Sequence, residues 1–258
     1  MKVLAIIGSP RKGHTFALVQ RLAELLRERG DVDVELVMLR DLDQKSCRGC
    51  YACQSRGEHR CPIDDGVDAL VERMKTADGV MLASPTYTSN VSGLMKGFMD
   101  RLAWAAHRPP FLGKPAMLVT TASSFTGGAL RALSWFGYTG FDVVAKVGWS
   151  VWPSPRRQWK RSAGDERKLR RAVTRLWDAL HGPPAPLSLA HVLQLSVATV
   201  TPATDPEFFA ADAAFHREVG ARLREAPWWK CALGGFAAWL VGLAASHQLV
   251  DRPRRPGL

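Results

Sequence analysis

The chain has 258 residues, of which 47% are hydrophobic and 23% charged, with a formal net charge of +11; that is the make-up of one or two globular domains with ample length for a large core. Five cysteines, four of them between Cys47 and Cys61, exclude a secreted disulfide framework in a chain of this length. The charge excess suits an anionic ligand, a membrane surface or nucleic acid, or simply Arg-rich solvated faces, and no DNA-binding motif accompanies it.

Met1-Lys2 runs straight into the apolar run Val3 to Ile7, a strand, so no signal peptide is expected and the expected location is the cytoplasm. The turn Gly8-Ser9-Pro10-Arg11-Lys12-Gly13-His14-Thr15 follows. A helix from about Phe16 then sets Val19, Leu22, Ala23 and Leu26 on one face and stops at Gly30. Val34 to Leu39 reads as the second strand. After the cysteine segment, Asp64-Asp65 can cap a helix that buries Val67, Leu70, Val71 and Met74. Val80 to Ala83 is the third strand, ending in the turn Ser84-Pro85-Thr86-Tyr87-Thr88. A helix over about Ser92 to Trp104 leads to the fourth strand, Pro115 to Thr121. A polar loop over 122–128 precedes a helix from about Ala129, and Asp142 to Trp149 is the fifth strand.

Apolar strands alternating with helices imply an α/β fold: a doubly wound five-stranded parallel sheet covered on both faces. Ligands of such sheets sit outside the carboxyl ends of the strands. The polar loops after the first, third and fourth strands meet there. The first is a natural anion site, because a helix N-terminus has unpartnered N–H groups and a favourable dipole. Ser9 and Thr15 add hydroxyls, Arg11 a charged fork, and Gly13 lets a ligand come close. Ser9 and Thr15 as plain helix caps, Tyr87 as a packing residue and Arg11 as a solvated charge are the alternative readings. No Gly-x-Gly-x-x-Gly fingerprint follows a strand, so a tightly held dinucleotide is not expected.

The stretches Gly8-Ser9-Pro10-Arg11 with Thr15, Ser84-Pro85-Thr86-Tyr87, and Leu94-Met95-Lys96-Gly97-Phe98-Met99-Asp100-Arg101 together resemble the flavodoxin-like NAD(P)H-dependent FMN reductase superfamily over about residues 1–150. The resemblance implies non-covalent FMN. Ser9, Arg11, Gly13, His14 and Thr15 would hold its phosphate. Pro85, Thr86, Tyr87 and Thr88 would border its ring with help from Asn90, and Thr121, Ala122, Ser123 and Gly127 would close the third side. A flat apolar ring needs such an aromatic or backbone wall, and its polar edge needs backbone donors. NAD(P)H would visit to deliver hydride, and electrons would leave to a quinone, flavin, cluster or protein acceptor. Tyr87 and Thr88 are the candidates for tuning the ring, and no side chain is nominated as acid or base. Two other classes stay open: a non-enzymatic electron carrier and a membrane-associated redox sensor.

Cys47-x2-Cys50-x2-Cys53-x7-Cys61 offers four thiols close in sequence, an inventory that suits an iron–sulfur cluster or zinc. A set of thiols without metal is the third reading. The spacing resembles that of iron–sulfur flavoproteins, which implies a [4Fe–4S] cluster beside FMN and electron exchange across a homo-oligomer. Arg48, Arg56, His59 and Arg60 surround the segment, and Cys231 reads as a small buried residue.

Trp149, Trp152 and Trp159 with Pro153 and Pro155 form an irregular connector. A capping box at Ser162 to Asp165 opens a helix with Leu169, Ala172, Val173, Leu176, Trp177 and Leu180 on one stripe. It reads as the last helix of the FMN-binding domain, taken as residues 1–181, or as a basic membrane-facing helix. Residues 182–258 form a helical extension. A helix starting near Pro206 is expected to present Phe208, Ala211, Phe215 and Val219. From Cys231 to Val250 there is no Asp, Glu, Lys or Arg; Trp228, Trp229 and Lys230 precede this run, and Arg252, Arg254 and Arg255 follow. Gly234, Ala238, Gly242 and Ser246 recur four apart, as in close helix packing, whereas Ser246, His247 and Gln248 speak against a span. A buried or subunit-contact helix, interfacial membrane contact and a true span are the three readings.

Overall fold

The computed structural model describes residues 1–151, 162–183, 185–224 and 226–246. Trp152, Pro153, Pro155 and Trp159 of the expected connector, and His247, Gln248, Arg252, Arg254 and Arg255 of the tail, lie outside the described residues. The chain divides into two compact units, Met1–Cys53 with Glu58–Pro186, and Gln54–Gly57 with Leu187–Leu258.

The first unit holds β1 (Lys2–Ile7), α1 (His14–Arg27), β2 (Asp33–Met38), the first half of the short α2 (Ala52–Ser55), α3 (Val67–Thr76), β3 (Gly79–Tyr87), β4 (Asn90–Val91), α4 (Gly93–Arg101), β5 (Pro115–Ala122), α5 (Gly127–Leu133), β6 (Asp142–Ser150) and α6 (Ala163–His181). Strand order is β2-β1-β3-β5-β6, with β4 pairing to β3 alone. Those five strands are mutually parallel. With the antiparallel β4 set aside, this is the 2-1-3-4-5 order of flavodoxin-like sheets. The chain reverses its winding between β1 and β3, and the crevice above those two strands is the switch point.

Period-two alternation splits the strands between two cores. Val3, Ala5, Ile7, Met81, Ala83, Met117 and Val119 face α1 and α6 on one side. Leu4, Ile6, Val80, Leu82, Ala116 and Leu118 face α3, α4 and the Phe98–Phe136–Phe141 group on the other. All of these strand residues are fully buried. Burial of a side chain of this size contributes roughly 1.5–3 kcal/mol, so the central strands anchor the sheet. Along the edge strand β6 only Ala145, Val147 and Trp149 are buried, while Lys146, Gly148 and Ser150 are exposed; the expected cover on both faces is incomplete there. Ser162 and Asp165 form the expected capping box, and α6 buries Leu169, Ala172, Val173, Leu176 and Leu180 against the first core. α6 is therefore the last helix of this unit, and its basic face is the solvated one.

Two of the boundaries that moved lie beside the carboxyl ends of β3 and β5. Ser84-Pro85-Thr86-Tyr87 is not a turn but the end of β3: Ser84 and Pro85 stay in register with Thr120 and Thr121, and Thr86 and Tyr87 pair with Val91 and Asn90. The reversal falls at Thr88 and Ser89, both left-handed with φ of 49° and 58°. A proline reads as a strand breaker because it gives no N–H to a ladder, yet the β5 neighbour keeps this strand in line. The second shift is in α5, which starts at Gly127, not Ala129.

The second unit contains α7 (Leu189–Ala198), α8 (Val200–Thr204), α9 (Ala210–Arg224) and α10 (Trp228–Ser246). α9 begins four residues later than Pro206, because Asp205 caps a separate turn by accepting from the Phe208 N–H at 3.1 Å. Phe208 is exposed as a result.

Candidate functional site

An open-mouthed cleft of about 200 Å³ lies at the carboxyl ends of β1, β3 and β5. It is lined by Ser9, Arg11, Gly13, His14 and Thr15, by Pro85, Thr86 and Tyr87, by Thr121, Ala122 and Ser123, and by Val151. Three loops far apart in sequence thus share one cleft, as the strand order requires.

The first loop shapes itself. Ser9 is buried, its hydroxyl donates to the Arg11 carbonyl at 2.7 Å, and it accepts from the Arg11 N–H at 3.4 Å. The Ser9 hydroxyl therefore tightens the turn and does not cap α1. Gly13 is the N-cap of α1, and no side chain caps that end. The first N–H groups of α1 consequently face the cleft with their dipole unopposed. Arg11 is exposed and makes no ion pair among the described residues, so its guanidinium is available to an anion. Thr15 differs: its hydroxyl is buried and shares a 2.6 Å hydrogen bond with the Thr121 hydroxyl. That bond ties the start of α1 to the end of β5 and sets the cleft's floor.

The opposite wall is built from strand ends. Thr120 donates to the Ser84 carbonyl at 2.7 Å, and the Thr86 and Thr120 hydroxyls lie 3.0 Å apart. These bonds fix the spacing of β3 and β5 beneath the cleft, and Tyr87 stands at the rim, 42% exposed. Thr88, Asn90 and Gly127 do not line the cleft. Thr88 is in the left-handed turn, Asn90 folds its side-chain carbonyl onto the Val91 N–H at 2.8 Å, and Gly127 begins α5. Val151 was not expected. Its signal was the alternation of Ala145, Val147 and Trp149, which carried two residues further reaches 151.

The cysteine segment is irregular, with left-handed backbone at Asp43, Gly49, Tyr51 and Gly57. All four of its cysteines are free; Cys47 and Cys50 are exposed, and Cys53 and Cys61 are half-buried. The Gly49 N–H points at the Cys47 sulfur, 3.4 Å away. Burial pushes the Cys53 thiol up; Cys61 and Cys47 push the same way, while the Arg108 guanidinium pulls against them. Among the described residues no three or more His, Cys, Asp or Glu side chains are gathered as a metal site. Two buried arginines hold the segment. Arg108 donates to the Cys53 carbonyl at 2.6 Å and to Glu58 at 3.2 Å, and lies over the Trp104 ring. Arg101 pairs with Asp65 and reaches the Ile63 carbonyl at 3.3 Å. Asp65 also accepts from the Lys45 and Val67 N–H groups at 2.8 and 3.1 Å. Burial opposes the charge on Asp65, but those donors and Arg101 outweigh it and hold its carboxyl below the usual range. Neither arginine was singled out from the sequence as a partner of this segment, since their partners lie 36 to 55 residues away.

Residues 1–150 match the family described as NADPH-dependent FMN reductase. An iron–sulfur flavoprotein of Methanocaldococcus jannaschii is 42% identical over 102 residues, covering 39% of this chain and 51% of that protein. The chain spans about half the length of the curated iron–sulfur flavoproteins it matches at 35% identity or more. A second M. jannaschii iron–sulfur flavoprotein is 29% identical over 194 residues, 70% of this chain and 97% of that one. Among solved structures, RosB with a bound 8-demethyl-8-formylriboflavin-5'-phosphate intermediate superposes with a TM-score of 0.54 at 15% identity, over 70% of this chain and 79% of that one. That likeness is one of fold.

Proposed function

The chain belongs to the NADPH-dependent FMN reductase family, and from that membership we propose that it is an FMN-dependent oxidoreductase that takes hydride from NAD(P)H and passes electrons to a small-molecule or protein acceptor. The observation that carries this reading is the convergence of the 9–15 loop with the ends of β3 and β5 on one cleft at the switch point. The residues fit FMN chemically: an uncapped helix N-terminus and an unpaired guanidinium at one end suit a phosphate, and strand ends with an aromatic rim at the other suit a flat ring. Bound there, FMN supplies the redox chemistry. Arg11 and the first N–H groups of α1 hold its phosphate. Thr15 keeps its hydrogen bond to Thr121, so its part is to fix the floor. Pro85, Thr86 and Tyr87 face Ala122, Ser123 and Val151 across the ring's place, and the open mouth lets a nicotinamide come and go.

Arg11→Ala is expected to weaken FMN binding roughly 10- to 100-fold, the worth of one hydrogen bond to a charged group at about 1.5–3 kcal/mol. Riboflavin, which lacks the phosphate, is expected to bind the variant and the parent alike. Flavin-fluorescence titrations measure both; an equal loss for the two ligands would remove the phosphate from this end of the cleft. Anaerobic mixing with NADH or NADPH then separates enzyme from carrier. A flavin bleached by dithionite but by neither nucleotide supports the carrier.

Cys47, Cys50, Cys53 and Cys61 are the proposed ligands of a [4Fe–4S] cluster. Support comes from the four-thiol donor set, the absence of disulfides among those cysteines, and the similarity to two iron–sulfur flavoproteins of M. jannaschii. In this structure the sulfurs are not gathered about one centre. Anaerobically purified protein is expected to carry stoichiometric iron and acid-labile sulfide; zinc alone, or neither, overturns the assignment.

A further inference from the structure

We propose that the helical second unit docks on an anionic lipid bilayer through the exposed face of α10. α10 is 19 residues long, about 28 Å at roughly 1.5 Å per residue. Over Trp228–Ala245 only 6% of the helix is buried. A core helix of a soluble domain would be mostly covered, and this one is not.

The two sides of α10 differ. One side packs on α7: a Cβ at Gly234 would collide with the Ser196 hydroxyl and lie 3.3 Å from Val192, and Lys230 donates to the Leu187 carbonyl at 2.9 Å. The small-residue row seen in the sequence is thus used at Gly234 inside the unit. The other side presents Leu233, Phe236, Trp239, Leu240 and Leu243, each between 44% and 58% exposed. Phe236 and Trp239 stack with ring centroids 5.8 Å apart.

The distribution of charge favours lipid over a second copy. A protein–protein interface surrounds its apolar centre with a polar rim. Along α10 itself no Asp, Glu, Lys or Arg follows Lys230. Trp228, 81% exposed, with Trp229 and Lys230, marks one end. In the sequence Arg252, Arg254 and Arg255 follow the charge-free run at the other. Tryptophans settle at headgroup level and basic flanks are drawn to anionic headgroups, which suits a helix lying along a membrane interface. Of the small residues that could bring a second α10 close, Gly234 is taken up by α7, while Gly242 is open. The net charge of +11 adds attraction to anionic headgroups.

The test uses the full-length flavin-loaded protein and sedimentation with vesicles of phosphatidylcholine, with and without phosphatidylglycerol. Co-sedimentation with the anionic vesicles is expected, with a blue-shifted tryptophan emission quenched by brominated acyl chains. F236D/L240D is expected to lose binding at least ~10-fold, since each buried large side chain is worth roughly 1.5–3 kcal/mol. The milder F236S is expected to fall between; for all three proteins flavin content and thermal midpoint report the fold. Three results overturn the proposal. The variants sediment like the parent. Salt alone strips the parent while brominated lipid leaves its tryptophans unquenched. Or the parent ignores vesicles and is a lipid-free dimer that F236D/L240D converts to monomer, which assigns the face to a second copy.

Discussion

Arg101→Met is expected to cost about 3–5 kcal/mol, because removing one partner of a buried ion pair leaves the other charge buried and uncompensated. Arg101 and Asp65 side chains are 2% and 1% exposed, so water cannot replace the lost partner. For a unit of this size each kcal/mol lowers the thermal midpoint by roughly 2–4 °C, so a fall of roughly 6–20 °C is expected in a melting curve. Asp65→Asn is expected to be at least as damaging, since it also weakens acceptors for the Lys45 and Val67 N–H groups. The double variant Asp65→Leu/Arg101→Met is expected to recover part of the loss, as apolar replacements of buried pairs do. The same pair predicts a pH response. The folded carboxyl of Asp65 sits below its unfolded value, so its contribution is complete well above about pH 3.9. It is lost as pH falls through the folded value. The parent is therefore expected to unfold in acid with a step that Arg101→Met lacks. Cysteine alkylation supplies a local readout: Cys53 and Cys61 are expected to react faster in Arg101→Met under native conditions. Unchanged rates would mean that the pair stabilises the sheet without holding the cysteine segment.

Gly128→Ala is expected to be the most damaging single-methyl change near the cleft. A Cβ there would overlap the Ser89 carbonyl oxygen and lie 2.8 Å from the Ser89 carbonyl carbon. Both are backbone atoms of the left-handed Thr88–Ser89 turn, so no side chain can swing aside. Relief requires the turn to move off α5 and to carry Tyr87 and the end of β3 with it. Overpacking of this kind costs about 1–3 kcal/mol, which corresponds to a loss of FMN affinity of roughly 2- to 12-fold if half of it falls on the cleft, at about 1.4 kcal/mol per tenfold. Gly127→Ala is the control. Nothing lies within 4 Å of a Cβ at that position, and alanine in a helix is favoured over glycine by up to about 1 kcal/mol. Flavin titration and thermal melts of the two variants are expected to diverge in sign. Equal behaviour would show that the turn yields freely and does not position Tyr87.

The sheet was legible because its strands are buried on both faces and read as unbroken apolar runs; β1, β3 and β5 could hardly be anything else. The cleft was legible because parallel topology sends the loops after β1, β3 and β5 to one edge, and eleven of the fourteen expected cofactor contacts line it. What escaped depended on distant partners. Pro85 looked like a turn because the β5 strand that keeps it extended is 36 residues on. Thr88 and Asn90 were placed beside Tyr87 by the family resemblance; in this chain the tight turn points successive residues in different directions, and the two do not line the cleft. Arg101 entered the reading of the sequence only as the last residue of the 94–101 stretch. Its burial follows from Asp65, and no local pattern links the two.

The hydrogen bond between Thr15 and Thr121 joins residues 106 apart in the chain. On a ribosome working at about 5–20 residues per second, the second hydroxyl emerges roughly 5–20 s after the first. Until then the 9–15 loop has no floor and the cleft has one wall. Cofactor capture therefore waits for β5, and occupancy stabilises only chains whose sheet has been assembled to that point. The flavin content of freshly made protein is in this sense a count of completed sheets, a built-in checkpoint on synthesis.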